Sequence, residues 1–327
     1  MRRREFIALL GGIATAWPIR VCAQQPQMPV IGFLNGTSLS GYRRFLEAFR
    51  KGLAEAGYIE GRNVRIEYRW AEGNYERLPG MAADLVGMRV DLIAATSTPA
   101  NASAVAATKS IPIVFTTSSD PVELGLVPNL NHPGGNVTGA VTLNVETGSK
   151  RLELLHNAVP TASAFVVLRN PTRPGATNST QELQEAAVKL GLQMDIFDAS
   201  TEDDINEAFA QAAKGRSARA LIVTTDAFFF SRRAQLIALQ ERFAVPVIFD
   251  RREFAEVGGL MSYGGDVAEI YRLAGNYAGR IIGGVKPGDL PVQLSTKLEL
   301  VINLKAARKI GINVPPDVIA TADEVIE

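Results

Sequence analysis

Short apolar runs alternate with amphipathic segments along most of the chain. Residues 30–34 are apolar, and residues 42–56 place Phe45, Phe49 and Leu53 on one face at helical spacing. The same alternation, with short polar connections, continues into the last third of the chain. Strands that alternate with helices in this way predict an α/β protein with parallel sheets.

Residues 90–139 contain two predicted strand–turn–helix units, and residues 132–139, which are rich in glycine, predict a closing turn. The two units share one pattern. Each predicted strand ends in residues that carry hydroxyl groups. Each turn then places a candidate capping residue, Thr98 or Asp120, directly before a proline that opens the next predicted helix, Pro99 or Pro121. In an open parallel sheet, ligands bind at the carboxyl ends of the strands, and a helix N-terminus favours an anion. These turns therefore predict a binding site.

About ten predicted strands are too many for one compact sheet in a chain of this length. The alternation also restarts near residue 145. We therefore predict two doubly wound α/β lobes that face each other across a cleft. Residues 28–143 with 261–290 form lobe 1, and residues 144–260 with 291–327 form lobe 2.

The first 23 residues have the order of an export signal. Arg2-Arg3-Arg4 is basic, residues 7–17 are mostly apolar, and Val21-Cys22-Ala23 resembles a small-residue cleavage site. Residues 3–7 also resemble the twin-arginine export pattern. We expect a periplasmic protein, exported by the Sec route or by the twin-arginine route.

Composition fits a soluble globular protein, with 46% hydrophobic and 21% charged residues. Without residues 1–23 the chain has 30 basic and 33 acidic side chains, which gives no reason to expect a nucleic-acid partner. Cys22 is the only cysteine. It is either lipidated or removed by cleavage after Ala23, and Arg20 favours cleavage because a lipid-attachment motif has a small or apolar residue there.

Several enzyme signatures are missing. No Gly-x-Gly-x-x-Gly follows the first strand, and the chain has neither a P-loop nor a Gly-x-Ser-x-Gly elbow. His132 and His156 are the only histidines and have no ligand partner nearby in the sequence. We expect no metal, cofactor or catalytic residue. An exported enzyme stays an alternative, with Asp226 and Tyr263 as its only candidate pair.

Polar turns at strand ends, with aromatic residues beside them, form the candidate ligand site. Hydroxyls and helix-start N–H groups suit a carboxylate, a buried aspartate suits an ammonium, and aromatic rings suit an apolar ligand body. The candidate ligand-binding residues are Asn35, Ser97, Thr98, Thr117, Ser118, Asp120, Asp226, Phe228, Asp250 and Tyr263.

Some of these residues have a structural alternative. Asp120 is equally suited to cap a helix, where its charge would repel an anion. Phe228 lies in a run of three phenylalanines that belongs partly to a core. Asp250 precedes Arg251, so a local ion pair competes with ligand binding. Asp226 is the favoured amine partner because it follows a buried apolar strand, where an unpaired charge is costly.

The order of several motifs resembles the TrpX-like group of ABC-transporter substrate-binding proteins. The motifs are Val90-Asp91-Leu92-Ile93 through Thr98-Pro99-Ala100, Ile111-Pro112-Ile113-Val114-Phe115, Asp120-Pro121 with Gly125-Leu126-Val127, and Pro133-Gly134-Gly135-Asn136-Val137-Thr138-Gly139. The resemblance covers residues 29–316.

The resemblance implies a type I periplasmic-binding-protein fold, with two Rossmann-like lobes, three crossovers and a ligand in the cleft. It also implies a monomer that delivers a small ligand, such as an aromatic amino acid or a related carboxylate, to an ABC permease. An exported sensing module that reports to a receptor or kinase is the alternative within the same fold.

Overall fold

Two mainly parallel sheets form the framework of the computed structural model, which describes residues 28–142, 144, 147–162, 164–214 and 219–327. The predicted export signal lies outside the described residues. The strands are β1 (Val30–Asn35), β2 (Arg65–Trp70), β3 (Leu92–Ala95), β4 (Ile113–Thr117), β5 (Val137–Val141), β6 (Ala164–Arg169), β7 (Gln193–Asp198), β8 (Arg219–Val223), β9 (Val247–Phe249), β10 (Met261–Gly265), β11 (Gln293–Leu294), β12 (Leu298–Asn303) and β13 (Glu324–Ile326).

Helices connect most of these strands. They are α1 (Leu39–Glu55), α2 (Leu78–Gly87), α3 (Thr98–Ala107), α4 (Gly148–Ala158), α5 (Ala176–Lys189), α6 (Glu202–Ala213), α7 (Ala227–Ser231), α8 (Arg233–Phe243), α9 (Arg252–Glu256), α10 (Val267–Ile282), α11 (Leu304–Lys309) and α12 (Pro316–Ile319), with 3₁₀ turns at Tyr75–Arg77 and Pro287–Asp289. Within the described ranges, no helix has the length and apolar character needed to cross a membrane.

The first sheet has the order β11-β5-β4-β3-β1-β2, and all its neighbouring strands are parallel. The second sheet has the order β13-β12-β10-β9-β8-β6-β7, in which β10 and β12 pair in antiparallel fashion. Helices separate most of the successive strands and the sheets are mainly parallel, so the predicted doubly wound α/β fold class is confirmed.

The chain crosses between the lobes after β5, after β10 and between β11 and β12. Two details of the predicted boundaries are wrong. Residues 261–265, which we assigned to lobe 1, pair with β9 in the second sheet, and β11, which we assigned to lobe 2, pairs with β5 in the first. A strand joins the lobe of its ladder partners, and those partners lie far away in the sequence.

Asn144 joins two of these crossovers. It is fully buried in the first crossover, and its Oδ1 accepts a hydrogen bond of 2.7 Å from the N–H of Gly265 in the second. Its Nδ2 donates to the Asp250 carbonyl oxygen at 3.1 Å. The amide is therefore used at both ends, as a buried polar side chain requires.

Helix α1 packs closely against α10 in lobe 1. A Cβ on Gly52 would lie 1.7 Å from the Arg272 carbonyl oxygen, and one on Gly275 would lie 1.9 Å from the Phe49 carbonyl oxygen. Only glycine at these two positions allows the two backbones to approach so closely. As a result α10, which follows the second crossover, is part of lobe 1.

Two predictions within residues 90–139 are wrong. Pro121 opens a series of turns instead of a helix, because the chain reaches a left-handed φ of +66° at Gly125. The segment that we interpreted as a glycine turn ends in strand β5. A Cβ on Gly139 would lie 2.2 Å from the Phe115 carbonyl oxygen, so this strand packs tightly beside β4.

Candidate functional site

A narrow cleft lies between the carboxyl ends of the strands of the two sheets. Its free space is about 470 Å³ when the opening to solvent is included. The lining residues are Tyr42, Thr96, Ser97, Thr98, Pro99, Thr116, Thr117, Ser118, Ser119, Arg173, Thr225, Asp226, Ala227, Arg251, Val267, Ile270 and Tyr271.

Hydroxyl groups form the lobe 1 side of the cleft, as the sequence predicted for Ser97, Thr98, Thr117 and Ser118. Strands β3 and β4 are neighbours, so their end turns lie side by side. Thr98 Oγ1 and Thr117 Oγ1 share a hydrogen bond of 3.1 Å, and Ser118 Oγ accepts one of 3.1 Å from Thr142. This surface offers several hydroxyls to an acceptor group.

The start of α3 differs from our prediction. Ser97 is the N-cap residue, Thr98 is the first helical residue, and neither side chain caps a backbone N–H of the helix. Ser97 Oγ instead accepts a hydrogen bond of 3.1 Å from the N–H of Gly36. Thr98 is therefore not the cap, and its hydroxyl faces the cleft instead.

Two predicted residues have structural partners. Asn35 is fully buried, donates to the Thr96 carbonyl oxygen at 2.8 Å and accepts from the Thr37 N–H at 2.7 Å, so it supports the hydroxyl surface from behind. Asp120 accepts from the N–H of Val122 at 2.7 Å and lies in an outer groove beside the cleft. Because Pro121 opens turns and not a helix, Asp120 holds the start of these turns, and the helix cap that we gave as its alternative role is not formed.

Asp226 occupies the lobe 2 side of the cleft and is 5% exposed. All the hydrogen bonds to its carboxylate reach Oδ1: the N–H of Phe228 at 2.8 Å, the hydroxyl of Tyr75 at 3.0 Å and the amide of Asn170 at 3.1 Å. Oδ2 is buried without a hydrogen-bond partner among the described residues. Burial raises the pKa of Asp226, and the Asn170 hydrogen bond and the Arg173 charge oppose that rise.

Arg173 also lines the cleft from lobe 2, and our sequence analysis missed it. Its side chain is 6% exposed, and Nη1 donates to Ser119 Oγ of lobe 1 at 3.1 Å. A buried guanidinium is a typical partner for a carboxylate. The signal was available, because residues 170–173 follow β6 just as Asp226 follows β8.

Asp250 is buried but already paired. Its Oδ2 accepts hydrogen bonds from Arg251 Nη2 at 2.7 Å and Nε at 3.0 Å. The carboxylate does not line the cleft, whereas Arg251 does. The local ion pair that competed with ligand binding is thus present.

Neither of the two aromatic residues that we listed lines the cleft. Phe228 is buried at the start of α7, and its ring lies beside Gly73 of lobe 1. Tyr263 packs in the lobe 2 core on the far side of the second sheet and lines an outer groove with His156 and Leu300. Successive residues of a strand alternate between faces, and Tyr263 shares its face with the core residue Met261.

Tyr42 and Tyr271 supply the aromatic surface instead. Their ring centroids are 6.2 Å apart, and Val267 and Ile270 extend the apolar wall. The Tyr271 hydroxyl donates to the Thr96 carbonyl oxygen at 2.7 Å. Burial raises the pKa of Tyr42 to about 12 and also raises the pKa of Tyr271. Both hydroxyl groups are therefore protonated and neutral at physiological pH. Tyr42 and Tyr271 lie in helices α1 and α10, so neither carried the strand-end signal on which the sequence analysis relied.

Several contacts join the lobes across the cleft. Tyr75 reaches Asp226, Arg173 reaches Ser119, and the ring of Tyr42 lies 5.2 Å from that of Phe230. At the rim, Arg44 of lobe 1 lies 3.3 Å from Glu256 and 3.6 Å from Glu253 of lobe 2. These contacts exist only while the lobes are together.

The site has the chemistry of recognition. Within the ranges that the structure describes, no group of three or more His, Cys, Asp or Glu side chains could hold a metal ion. What the cleft offers is a buried carboxylate, a buried guanidinium, hydroxyls and an apolar wall. This combination can hold a small molecule that carries both charges.

Comparison with known proteins places this geometry in context. Residues 27–326 match the family model described as ABC transporter substrate binding protein. The chain is also similar to a tyrosine-binding protein of Clostridioides difficile (strain R20291), with 30% identity over 257 residues, which are 79% of this chain and 73% of the relative.

Two solved structures show how the lobes are arranged. A domain from Streptococcus pneumonia in complex with L-Trp gives a TM-score of 0.81, at 26% identity, over 91% of this chain and 99% of that one. A ligand-free, open substrate-binding protein with adhesive properties from Clostridium difficile gives 0.63 at the same identity and coverage. The overall backbone of this chain is thus more similar to the L-Trp complex than to the ligand-free, open structure.

Proposed function

The chain belongs to the family of ABC transporter substrate-binding proteins, and we propose that its ligand is an amino acid or a related carboxylate, delivered to an ABC importer. An aromatic amino acid is the first candidate. The relatives named for tyrosine binding and for an L-Trp complex support this choice. The relatives are solute-binding proteins and not enzymes.

One observation carries the proposal: Asp226 presents a buried carboxylate oxygen, Oδ2, that no described residue partners. A buried anionic oxygen without a partner costs free energy. An ammonium group of a ligand would supply both the hydrogen bond and the countercharge. Arg173, on the same lobe, and the hydroxyls of the opposite lobe then suit the carboxylate of the same ligand.

The apolar wall suits an aromatic side chain. Tyr42 and Tyr271 have buried rings that line the cleft, and Val267 and Ile270 continue this surface. Aromatic rings in such contact gain about 0.5–1.5 kcal/mol beyond the burial of their area. A ligand with a ring would thus gain more here than one with a short polar side chain.

The proposed action is non-covalent and depends on lobe closure. Ligand binds between open lobes and shifts the population towards the closed arrangement, because only closed lobes surround it. Substrate-binding proteins of ABC transporters act outside the cytoplasm, and the closed form would be the one that the importer recognises. The predicted export signal of residues 1–23 fits this location.

A ligand screen tests the proposal. Thermal unfolding of the purified protein is followed with each L-amino acid and with matched carboxylates that lack the amino group. A ligand at 100 times its Kd should stabilise the protein by about 2.7 kcal/mol. We expect the largest shifts with L-tyrosine, L-tryptophan or L-phenylalanine.

Isothermal titration of the best ligand, with Asp226→Asn as the control variant, then assigns the site. If no amino acid or carboxylate shifts the transition, or if Asp226→Asn binds as tightly as the wild type, the proposal is wrong.

A further inference from the structure

Tyr75 belongs to lobe 1, but its hydroxyl lies on lobe 2. The 3₁₀ turn Tyr75–Arg77 starts at Asn74, whose side chain accepts a hydrogen bond of 3.0 Å from the N–H of Glu76. The ring lies over Gly36, where an added Cβ would be 3.0 Å from Tyr75 Cε1. Lobe 1 therefore fixes the direction of the ring.

The hydroxyl of Tyr75 meets the start of α7 in two ways. It donates to Asp226 Oδ1 at 3.0 Å and accepts from the N–H of Phe228 at 2.9 Å. The other bonds to Oδ1 come from Asn170 and Phe228, which are both in lobe 2. Of the hydrogen bonds that the described residues make to this carboxylate, only the one from Tyr75 depends on closure.

The two oxygens of the Asp226 carboxylate have different surroundings. Three donors hold Oδ1, and Oδ2 is the oxygen that the described residues leave without a partner. Because Asp226 lines the cleft, Oδ2 is the oxygen available to an ammonium group of a ligand. A hydrogen bond to a charged oxygen is worth more than one between neutral groups. The bond from Tyr75 is therefore strongest when Asp226 is ionised, which is also the state that an ammonium group requires.

We propose that Tyr75 is a specificity-determining positioning residue, which completes the ammonium site on Asp226 only when the lobes close. A ligand with an ammonium group keeps Asp226 ionised and gains the Tyr75 bond on closure. A ligand without that group gains little from it. The inference rests on the proposed function and explains how closure would select for an amino group.

A comparison of two ligands that differ only in the amino group tests this inference. The probes are L-tyrosine and 3-(4-hydroxyphenyl)propanoate, or L-tryptophan and indole-3-propanoate, titrated into wild type and Tyr75→Phe. We expect Tyr75→Phe to lower the affinity for the amino acid about tenfold, and that for the deaminated partner less than about twofold. A purely structural role would weaken both equally.

A double-mutant cycle tests whether Tyr75 affects ligand affinity through Asp226. In the Asp226→Asn background, Tyr75→Phe should change the affinity for the amino acid by less than about twofold, because the two residues act together. Tyr68→Phe is the matched control. Tyr68 is also a lobe 1 tyrosine, but its hydroxyl bonds to Glu60 and Arg50 of the same lobe. It should leave both affinities unchanged.

The outcomes separate the inference from the function. If wild type binds the amino acid and Tyr75→Phe weakens both probes equally, or neither, the inference is wrong and the proposed function stands. If no amino acid and no matched carboxylate binds to the wild type, the proposed function and the inference are both wrong.

Discussion

Asp226 and Asp250 follow neighbouring parallel strands, β8 and β9, and are 5% and 3% exposed. The sequence made both of them candidate ligand-binding residues, with Asp226 as the favoured amine partner and Arg251 as a competing partner for Asp250. The structure gives Asp250 a guanidinium partner from the next residue, Arg251, whereas Asp226 keeps one oxygen without a partner among the described residues. Strand-end position and burial are therefore insufficient to identify a binding carboxylate. What distinguishes the two is how many of the acceptor positions the protein itself fills.

The largest effect in this comparison should come from Asp250. Asp250→Asn would leave Arg251 buried without its countercharge and destabilise the protein by about 3–5 kcal/mol, measured by urea unfolding. Asp198→Asn is the control, since Asp198 pairs with Arg169 at 2.6 Å but is 49% exposed and should cost less than about 1 kcal/mol. Equal losses from the two variants would contradict this reading of Asp250.

Asp226→Asn should show the opposite pattern. We expect the affinity for the amino acid to fall about 100-fold, which is about 2.7 kcal/mol, because the ammonium loses its countercharge. The free energy of unfolding without ligand should change by less than about 1 kcal/mol, since the variant removes a buried charged oxygen that lacked a partner. Calorimetric titration and urea unfolding of the same sample measure both quantities. If Asp226→Asn lost as much stability as Asp250→Asn, the two aspartates would both be structural, which contradicts the comparison.

A smaller effect concerns pH. Burial raises the pKa of Asp226 in the folded state, so the folded protein holds this proton at a pH where the unfolded chain has released it. The ordinary pKa of an aspartate in the unfolded chain is about 3.9. As the pH rises from that value through the raised pKa of the folded state, the contribution of Asp226 to stability without ligand must fall. The difference in unfolding free energy between wild type and Asp226→Asn, measured across this range, should show that slope. A difference that grows more favourable to wild type with rising pH would mean that burial does not dominate.

The smallest effect should come from the rim of the cleft. Arg44 is half exposed and faces the acidic residues Glu253 and Glu256 of the other lobe. Arg44→Ala should weaken ligand binding by less than about 1 kcal/mol, and salt should reduce even that difference. Titrations at low and high ionic strength measure it. If the effect of Arg44→Ala persists at high salt, the contacts of Arg44 with the two glutamates behave like the buried Asp250–Arg251 pair, and this prediction is wrong.

Much of the fold could be predicted because its cause is local. Buried strands such as β8 and amphipathic helices such as α10 have patterns that stand out in any window of the sequence. Strand β5 was missed because Gly139, which allows the close approach to β4, looks like a turn residue. The lobe of β10 depends on pairing with β9 and β12, which no local pattern contains.

The site was predicted as a set of strand ends, and the structure places five of the predicted residues in the lining of the cleft: Ser97, Thr98, Thr117, Ser118 and Asp226. Arg173 was missed because an arginine in a Pro-containing loop usually faces solvent. Tyr263 was misplaced by the alternation of faces within β10. In both cases the deciding information is which way a side chain points after the chain has folded.

Asn144 has a mechanical consequence. Its single amide group spans the first crossover, the second crossover and the backbone of Asp250, with bonds of 2.7 and 3.1 Å in a buried setting. Gly265 ends β10 and Asp250 follows β9, so both partners belong to lobe 2. We therefore expect both bonds to be kept when the lobes open, so that the first crossover moves with lobe 2 and bends on its lobe 1 side. A ligand in the cleft then has only this bending to oppose.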